Sequence, residues 1–598
     1  MSGATVVQEF AARVAAMPER VALDLLSAGG ASADTELTWS DWDDASRAFA
    51  AALIRAGVQR GEAVAILADN DLLWPIADIG TLRAGCVSVG IFPTSPSTQI
   101  SAVLASCGAR VVVAGSAPHV AAVADAVAGA RSGVSIISPA VTGRAPGGHI
   151  GWSAWLDSGR TALADSAVRD ELSSREAAVD ADDLAALIYT SGSTGEPKGA
   201  RLRHRYLIAS ARSIGKVLGL DASDRSLSFL PYSHSAERIF GHYTRICFGM
   251  TTGLVPDHTK LWDAARVFQP TIFGGLPRFY EKLVEGLHDE LDSDAGVRTL
   301  ALGRERSRLR RAGREVPAEL ESEWRREGAG FIDALRARFG GALRHATSGG
   351  AMLMPAVAET LDALGITVLG AYGMTEHLCV AFNRPDHYAF DAVGSAMPGT
   401  EIRIAADGEI LVRRCALTFD GYHDDPAATA AAFTDDGEWL RTGDIGTLDA
   451  HGMLRVTGRR KELIALSTGK KVAPLPIEAR LTQTPWIGQA VLYGEGRRFI
   501  SALLTLRRAL LEQWASARGV AAEWPALLQH PDVLSEVTRA IEEVNRDLSG
   551  PERVRRFVLL DRDLSSAHDE LTPTLKIRRD VIAHQFRDRF DALYTEER

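Results

Sequence analysis

At 598 residues the chain exceeds what one hydrophobic core supports, and 46% hydrophobic with 24% charged residues describes a globular protein of at least two domains rather than a disordered one. A formal net charge of −10 argues against a protein that coats nucleic acid by neutralising phosphates. Cys86, Cys107, Cys247, Cys379 and Cys415 show no CxxC spacing, so neither a zinc site nor a disulfide framework is expected, and a reducing cytoplasm fits.

The opening stretch, MSGATVVQEFAARVAAMPER, carries acidic residues and lacks the basic start and apolar centre of a signal peptide. No uninterrupted apolar run reaches bilayer-spanning length, so no transmembrane segment is expected and any membrane contact is peripheral. From Gly61 to Gly115, Val64–Leu67, Val87–Phe92 and Val111–Ala114 read as strands, with helices over Asp71–Gly85 and Gln99–Cys107 between them. This βαβ rhythm predicts helix-covered, mostly parallel sheets. Ala185–Tyr189 reads as a further buried strand running into a Gly/Ser/Thr-rich loop.

Between Glu281 and Arg338 the chain is charged and helix-like, with an Arg-rich stretch at Arg304–Arg314 that reads as a solvated helical insertion, contact with an anionic membrane or with ligand phosphates being the competing reading. After Val393, Glu401–Ile404 and Glu409–Val412 are short alternating segments separated by Gly and Asp, which predicts a small β-rich subdomain. Residues 1–457 are therefore expected to form a large N-terminal body, 458–461 a hinge, and 462–598 a small mobile α/β C-terminal domain. In that last domain Ala490–Tyr493 and Phe499–Leu506 are candidates to pair as strands.

The sharpest local feature is Tyr189-Thr190-Ser191-Gly192-Ser193-Thr194-Gly195-Glu196-Pro197-Lys198-Gly199. Its glycines allow the backbone close to an anion, its hydroxyls donate hydrogen bonds, and Lys198 adds positive charge, which together are phosphate-binding chemistry. A Walker A loop would need Ser or Thr after the lysine, and Gly199 stands there, so the P-loop NTPase reading is disfavoured.

With Leu230-Pro231-Tyr232-Ser233-His234, Ser348-Gly349-Gly350-Ala351, Tyr372-Gly373-Met374-Thr375-Glu376, Leu440-Arg441-Thr442-Gly443-Asp444, Gly458-Arg459-Arg460-Lys461-Glu462 and Leu571–Ile577 following in order, the chain resembles the adenylate-forming superfamily of acyl-CoA synthetases, luciferases and peptide-synthetase adenylation domains. Gly274–Lys282, the charged insertion and Leu571–Arg579 are most similar to the long-chain acyl-CoA synthetase branch.

The resemblance implies ATP, Mg²⁺ and CoA as cofactors. It implies Lys576 as the lysine bridging carboxylate and phosphate oxygens, Glu376 and Thr190 as ligands toward Mg²⁺, Thr375 at the α-phosphate, and His234 near the carboxylate. Nucleotide contacts would come from Thr190, Ser191, Gly192, Ser193, Thr194, Gly195 and Lys198, from Gly349, Gly350 and Ala351, from Tyr372 and Gly373, from Asp444 at the ribose, and from Arg459 at the ribose or a phosphate. Lys461 is implied as the hinge and Gly469 as a lining residue of the pantetheine tunnel, a helix- or loop-ending glycine being the competing reading at 469. Ser235 stands where amino-acid-activating relatives commonly have aspartate, which disfavours an amino-acid substrate.

The activity implied is ligation of a long-chain or bulky hydrophobic carboxylic acid to CoA through acyl-AMP. The alternatives are an acyl-AMP ligase loading a separate carrier protein and a non-catalytic nucleotide- or acyl-binding module.

Overall fold

The structure, a computed structural model, describes residues 4–26, 36–128, 133–191, 197–520, 524–571 and 577–594. The chain folds as two compact units: residues 1–403, 411–442 and 448–455, and residues 404–410, 443–447 and 456–598.

In the first unit, Ala63–Leu67, Val87–Ile91 and Val111–Ala114 are buried at every position, because parallel strands covered by helices on both faces have no solvent side. Helices Leu73–Arg83 and Ser97–Cys107 make the crossovers, the second ending at Gly108 in the left-handed conformation that glycine adopts without Cβ strain. These strands are central in an eight-stranded sheet that continues to Leu184–Ser191 and, antiparallel to it, Pro197–Arg203.

A second sheet of nine strands runs parallel from Val368–Met374 through His345–Ser348, Ile272–Gly275, Arg225–Ser228 and Thr251–Leu254 to Val21–Leu25. The core against it includes Phe229, Phe273, Tyr280, Trp324 and Phe339. The expected parallel, helix-covered architecture is present, with antiparallel pairs at the sheet margins.

The charged insertion forms helices Asp294–Arg311 and Ala318–Arg338. It docks through Trp324, whose indole N–H donates to the Ala363 carbonyl at 2.8 Å beneath the Arg306 guanidinium. Its arginines pair with neighbouring acids, Arg298 with Glu327 toward solvent and Arg306, largely buried over Trp324, with Glu321. The β-rich segment after Val393 contains Ile402–Ile404, Glu409–Arg413, Trp439–Leu448 and Leu454–Arg459, adjacent in that order in one sheet.

In the second unit, Ile487–Tyr493 pairs antiparallel with Ile500–Leu506, which pairs parallel with Val554–Leu560. Alternation puts Leu492 and Leu504 in one core with Ile477, Leu481 and Val537, and Val491 and Leu503 in another with Ile582 and Phe590. Among the described residues no helix is long and apolar enough to cross a membrane.

Candidate active site

The sequence-predicted residues of the first unit gather at the carboxyl ends of its parallel strands, where open α/β sheets leave a crevice because the chain turns to opposite faces. Strand Leu184–Ser191 leads into the Gly/Ser/Thr loop, and its return strand pairs Thr190 with Lys198 and Tyr189 with Gly199. Gly192, Ser193, Thr194 and Gly195 lie outside the described residues. A Cβ on Gly199 would come within 3.1 Å of the Tyr189 ring, whose hydroxyl donates to Ser106 at 2.8 Å. Glycine at 199 thus lets the two strands close over a ring that seats the base of the loop.

The return strand is fastened on its other edge to residues 420–423. Arg201 N–H donates to the Gly421 carbonyl at 2.9 Å, and His423 N–H donates to the Gly199 carbonyl at 2.8 Å. This contact delivers Tyr422 between two of the expected phosphate-site residues. The Lys198 ammonium lies 5.7 Å from the Tyr422 ring centroid and 3.6 Å from the Asp425 carboxylate, while the Tyr422 hydroxyl donates to the Glu376 carboxylate. Burial first, and Glu376 second, raise the Tyr422 phenol far above its ordinary pKa, so it stays a neutral donor.

Glu376 occupies a tight reversal: Val368–Met374 pairs antiparallel with His377–Phe382, with Met374 opposite His377. A Cβ on Gly373 would lie 1.6 Å from the Leu378 carbonyl oxygen, so only glycine fits before this turn. Thr375 and Glu376 are 8% and 7% exposed, and Thr375 Oγ1 donates to Ser235 Oγ at 3.1 Å. His377 is fully buried with Thr418 and Thr400 at its two ring nitrogens, and burial lowers its pKa to about 4.

The Ser235 contact joins the His234 loop to this turn. His234 Nδ1 accepts from the Ala236 N–H at 3.1 Å, which in the neutral ring places the proton on Nε2, and the ring meets Phe92 edge-on at 6.3 Å. The loop continues into a π-helix, Ala236–Tyr243, anchored by fully buried Arg238 against fully buried Asp78 of helix Leu73–Arg83. Burial opposes ionisation of Asp78, but Arg238 and His242 beside it more than offset this and hold the carboxyl below its ordinary value.

Strand His345–Ser348 ends beside Val368–Met374, with Ser348 opposite Gly370. Gly349 therefore lies next to Ala371, 3.5 Å from a Cβ position to the Ala371 oxygen, and Gly350 turns away at φ +80°. Gly350 and Ala351 are exposed, and Gly349 and Tyr372 half-buried, which leaves this strand end open to a planar ligand.

In the second unit, Asp444 is 4% exposed and its carboxylate lies 3.0 Å from Arg459 Nε. Gly443, at φ +70°, donates its N–H to Glu409, which also pairs with Arg460 at 3.0 Å. Gly469 forms the tip of the turn between Ile464–Ala465 and Lys471–Val472 at φ +77°, with nothing within 4 Å of a Cβ position. Lys461 lies in the single 3-10 turn Arg460–Glu462.

Lys576 lies outside the described residues. The chain on either side is strongly held: Leu571 bridges Ile577, fully buried Glu570 takes Arg562 in a two-pronged pair at 2.8 and 2.6 Å, and Arg579 pairs with Glu478.

Three contributors were missed from sequence: Tyr422, Ser235 as the partner of Thr375, and Tyr206, whose hydroxyl touches the Thr375–Leu378 turn. Among the described residues no three His, Cys, Asp or Glu side chains form a metal cage. A single buried carboxylate, with one oxygen on a phenol, suits a Mg²⁺ ion that keeps waters and phosphate oxygens as its other ligands. A cleft of about 820 Å³ beside Tyr422 has a mixed lining, with Arg201, Arg414, Asp420 and Asp425 next to Pro426 and Phe433.

A family profile described as AMP-binding enzyme matches residues 10–423, and one described as AMP-binding enzyme C-terminal domain matches residues 461–598. The chain is 33% identical over 583 residues to the long-chain-fatty-acid–CoA ligase FadD15 of Mycobacterium bovis, covering 94% of this chain and 93% of that one. It is 36% identical over 430 residues to a protein of Mycobacterium tuberculosis described as a fatty-acid–CoA ligase, fadD11, covering 70% and 75% of the two chains. Among solved structures, an anthranilate CoA ligase in complex with anthranoyl-AMP superposes with a TM-score of 0.72 at 19% identity, over 98% of both chains, a likeness of fold.

Proposed function

The chain belongs to the AMP-binding enzyme family, and from that premise we propose that it is an ATP-dependent fatty-acid–CoA ligase working through an acyl-adenylate. A carboxylate oxygen of the fatty acid attacks the α-phosphorus of ATP, the bond to pyrophosphate breaks, and acyl-AMP remains. The CoA thiolate then attacks the acyl carbon and AMP leaves. The acid is a long hydrocarbon acid, in keeping with relatives named for long-chain fatty acids. The setting is the cytoplasm, in keeping with five cysteines that form no disulfide with one another.

The first step brings two anions together, so its barrier falls with oriented donors and positive charge rather than with a strong base. Lys198, the backbone and hydroxyls of residues 190–195, and Lys576 supply that charge and those donors. Thr375 holds the α-phosphate, and His234 donates from Nε2 toward the carboxylate. Glu376, with Thr190, holds Mg²⁺, which would neutralise the triphosphate when bound. Gly349–Ala351 and Tyr372 take the adenine, and Asp444 with Arg459 the ribose. Lys461 serves as the hinge by which surroundings change between the half-reactions, and Gly469 lines the path of the thiol arm.

The observation that carries this reading is the meeting of Lys198, Tyr422 and Glu376, in which one tyrosine offers its ring to the lysine and its hydroxyl to the carboxylate. It is tested by separating the half-reactions. Lys576→Ala is expected to abolish acyl-AMP formation from ATP and palmitate while still forming acyl-CoA from supplied acyl-AMP. Equal loss of both steps would overturn the assignment of Lys576.

A further inference from the structure

The turn that presents Glu376 is gripped from behind by a side chain that the reaction scheme leaves unused. Tyr206 stands in the first turn of helix His204–Leu218 and is 1% exposed. Its hydroxyl donates to the Thr375 carbonyl at 2.9 Å and accepts from the Leu378 N–H at 3.0 Å. Those two groups flank Glu376 at the point where the Met374–His377 pairing ends the ladder, so one phenol oxygen forms an additional rung across the tip of the hairpin.

The phenol suits this task. Burial raises its pKa well above the ordinary tyrosine value, which keeps the proton that the Thr375 carbonyl needs. The helix start is itself fixed: His204 Nδ1 accepts from the Val6 N–H at 3.2 Å, and Arg205 reaches Asp420 at 3.2 Å in the segment that also carries Tyr422. Tyr206 therefore holds the backbone of the turn while Tyr422 holds its carboxylate.

We infer that Tyr206 is a positioning residue for Glu376, fixing the 375–378 turn so that the carboxylate faces the cation of the metal–nucleotide complex. The inference rests on the reading of Glu376 as the carboxylate toward Mg²⁺. It assigns Tyr206 no contact with substrate.

The test is Tyr206→Phe, which removes one oxygen and keeps the ring. Mn²⁺ retained by the enzyme with ATP, measured by electron paramagnetic resonance, is expected to bind about ten-fold more weakly, as when a partner behind a metal ligand is lost. The metal concentration for half-maximal ATP–pyrophosphate exchange is expected to rise by a similar factor, with the rate at saturating metal within about three-fold of the original.

Tyr388→Phe is the control: Tyr388 is a buried phenol that donates to Asp362, and its loss is expected to lower the melting temperature without moving the metal dependence. Combined with Glu376→Gln, Tyr206→Phe is expected to add nothing to the metal defect. Should the Phe variant fail to accumulate, Tyr206→His is expected to give a smaller weakening, about two- to five-fold, because a ring nitrogen can still meet one of the two backbone groups.

A Tyr206 variant that lowers the melting temperature but leaves Mn²⁺ retention unchanged overturns the inference, as does an equal metal defect in Tyr388→Phe. If the original protein shows no acid-dependent exchange at all, the functional reading fails. If it exchanges and Glu376→Gln weakens metal binding while Tyr206→Phe does not, the inference alone fails.

Discussion

Asp78 and Glu376 are both buried carboxylates of the first unit, and they are treated in opposite ways. Asp78 meets Arg238, His242 at 3.3 Å, Ser88 at 2.6 Å and Tyr243 at 3.0 Å, so its charge is cancelled where it stands. Glu376 meets a neutral phenol, with the nearest expected cation, Lys198, held on the ring of that same tyrosine. A carboxylate already paired with a guanidinium has little left to offer a metal ion. One met by a hydroxyl keeps its capacity for a cation, and that distinction separates a group that builds the scaffold from one that serves a ligand.

The largest effect that tests this contrast is on stability. Asp78→Asn leaves Arg238 charged and fully buried without an anionic partner, and is expected to cost about 3–5 kcal/mol in chemical denaturation. Its adenylation activity should fall only as far as the folded fraction falls. A stable Asp78→Asn protein would mean that the buried pair has no structural role.

Glu376→Gln is expected to do the reverse. The amide oxygen still accepts from Tyr422, so the melting temperature should barely move, while exchange at fixed MgATP drops roughly 100-fold through loss of transition-state charge stabilisation. Unfolding in step with lost activity would place Glu376 with Asp78 among the scaffold groups.

The smallest and most graded effect is with pH. His377 and His204 are buried with pKa values lowered to about 4, so their neutral forms favour folding above the ordinary histidine value of 6.5. That contribution erodes as pH falls from 6.5 toward about 4, because the unfolded chain takes up protons that the folded chain refuses. Asp78, depressed for a carboxylate, keeps its contribution above its ordinary value of 3.8 and loses it only in stronger acid. Thermal melts between pH 7 and pH 4 are expected to show falling stability that is shallower in His377→Gln. A flat profile in the parent would contradict the burial argument.

Much of the fold was open to reading because its signals are local. Val111–Ala114 was bounded on apolar composition alone, and Ala490–Tyr493 with Phe499–Leu506 proved to be an antiparallel pair starting and ending within a few residues of expectation. The identity of the family was legible from the order of motifs. The supports of the site were not legible. Tyr206 reaches a partner 169 residues away and Tyr422 one 46 residues away, and a lone tyrosine carries no mark of where its hydroxyl will point. Gly373 is a related case: the need for glycine comes from the Leu378 carbonyl folding back onto it, which no spacing rule reveals.

The central claim is that this chain activates a fatty acid as its adenylate. Exchange of labelled pyrophosphate into ATP, measured with fatty acids of graded chain length and without CoA, tests it most directly. The account predicts exchange that depends on both the fatty acid and a divalent cation. ATP turnover to ADP and phosphate, or a complete absence of acid-dependent exchange across the series, would contradict it.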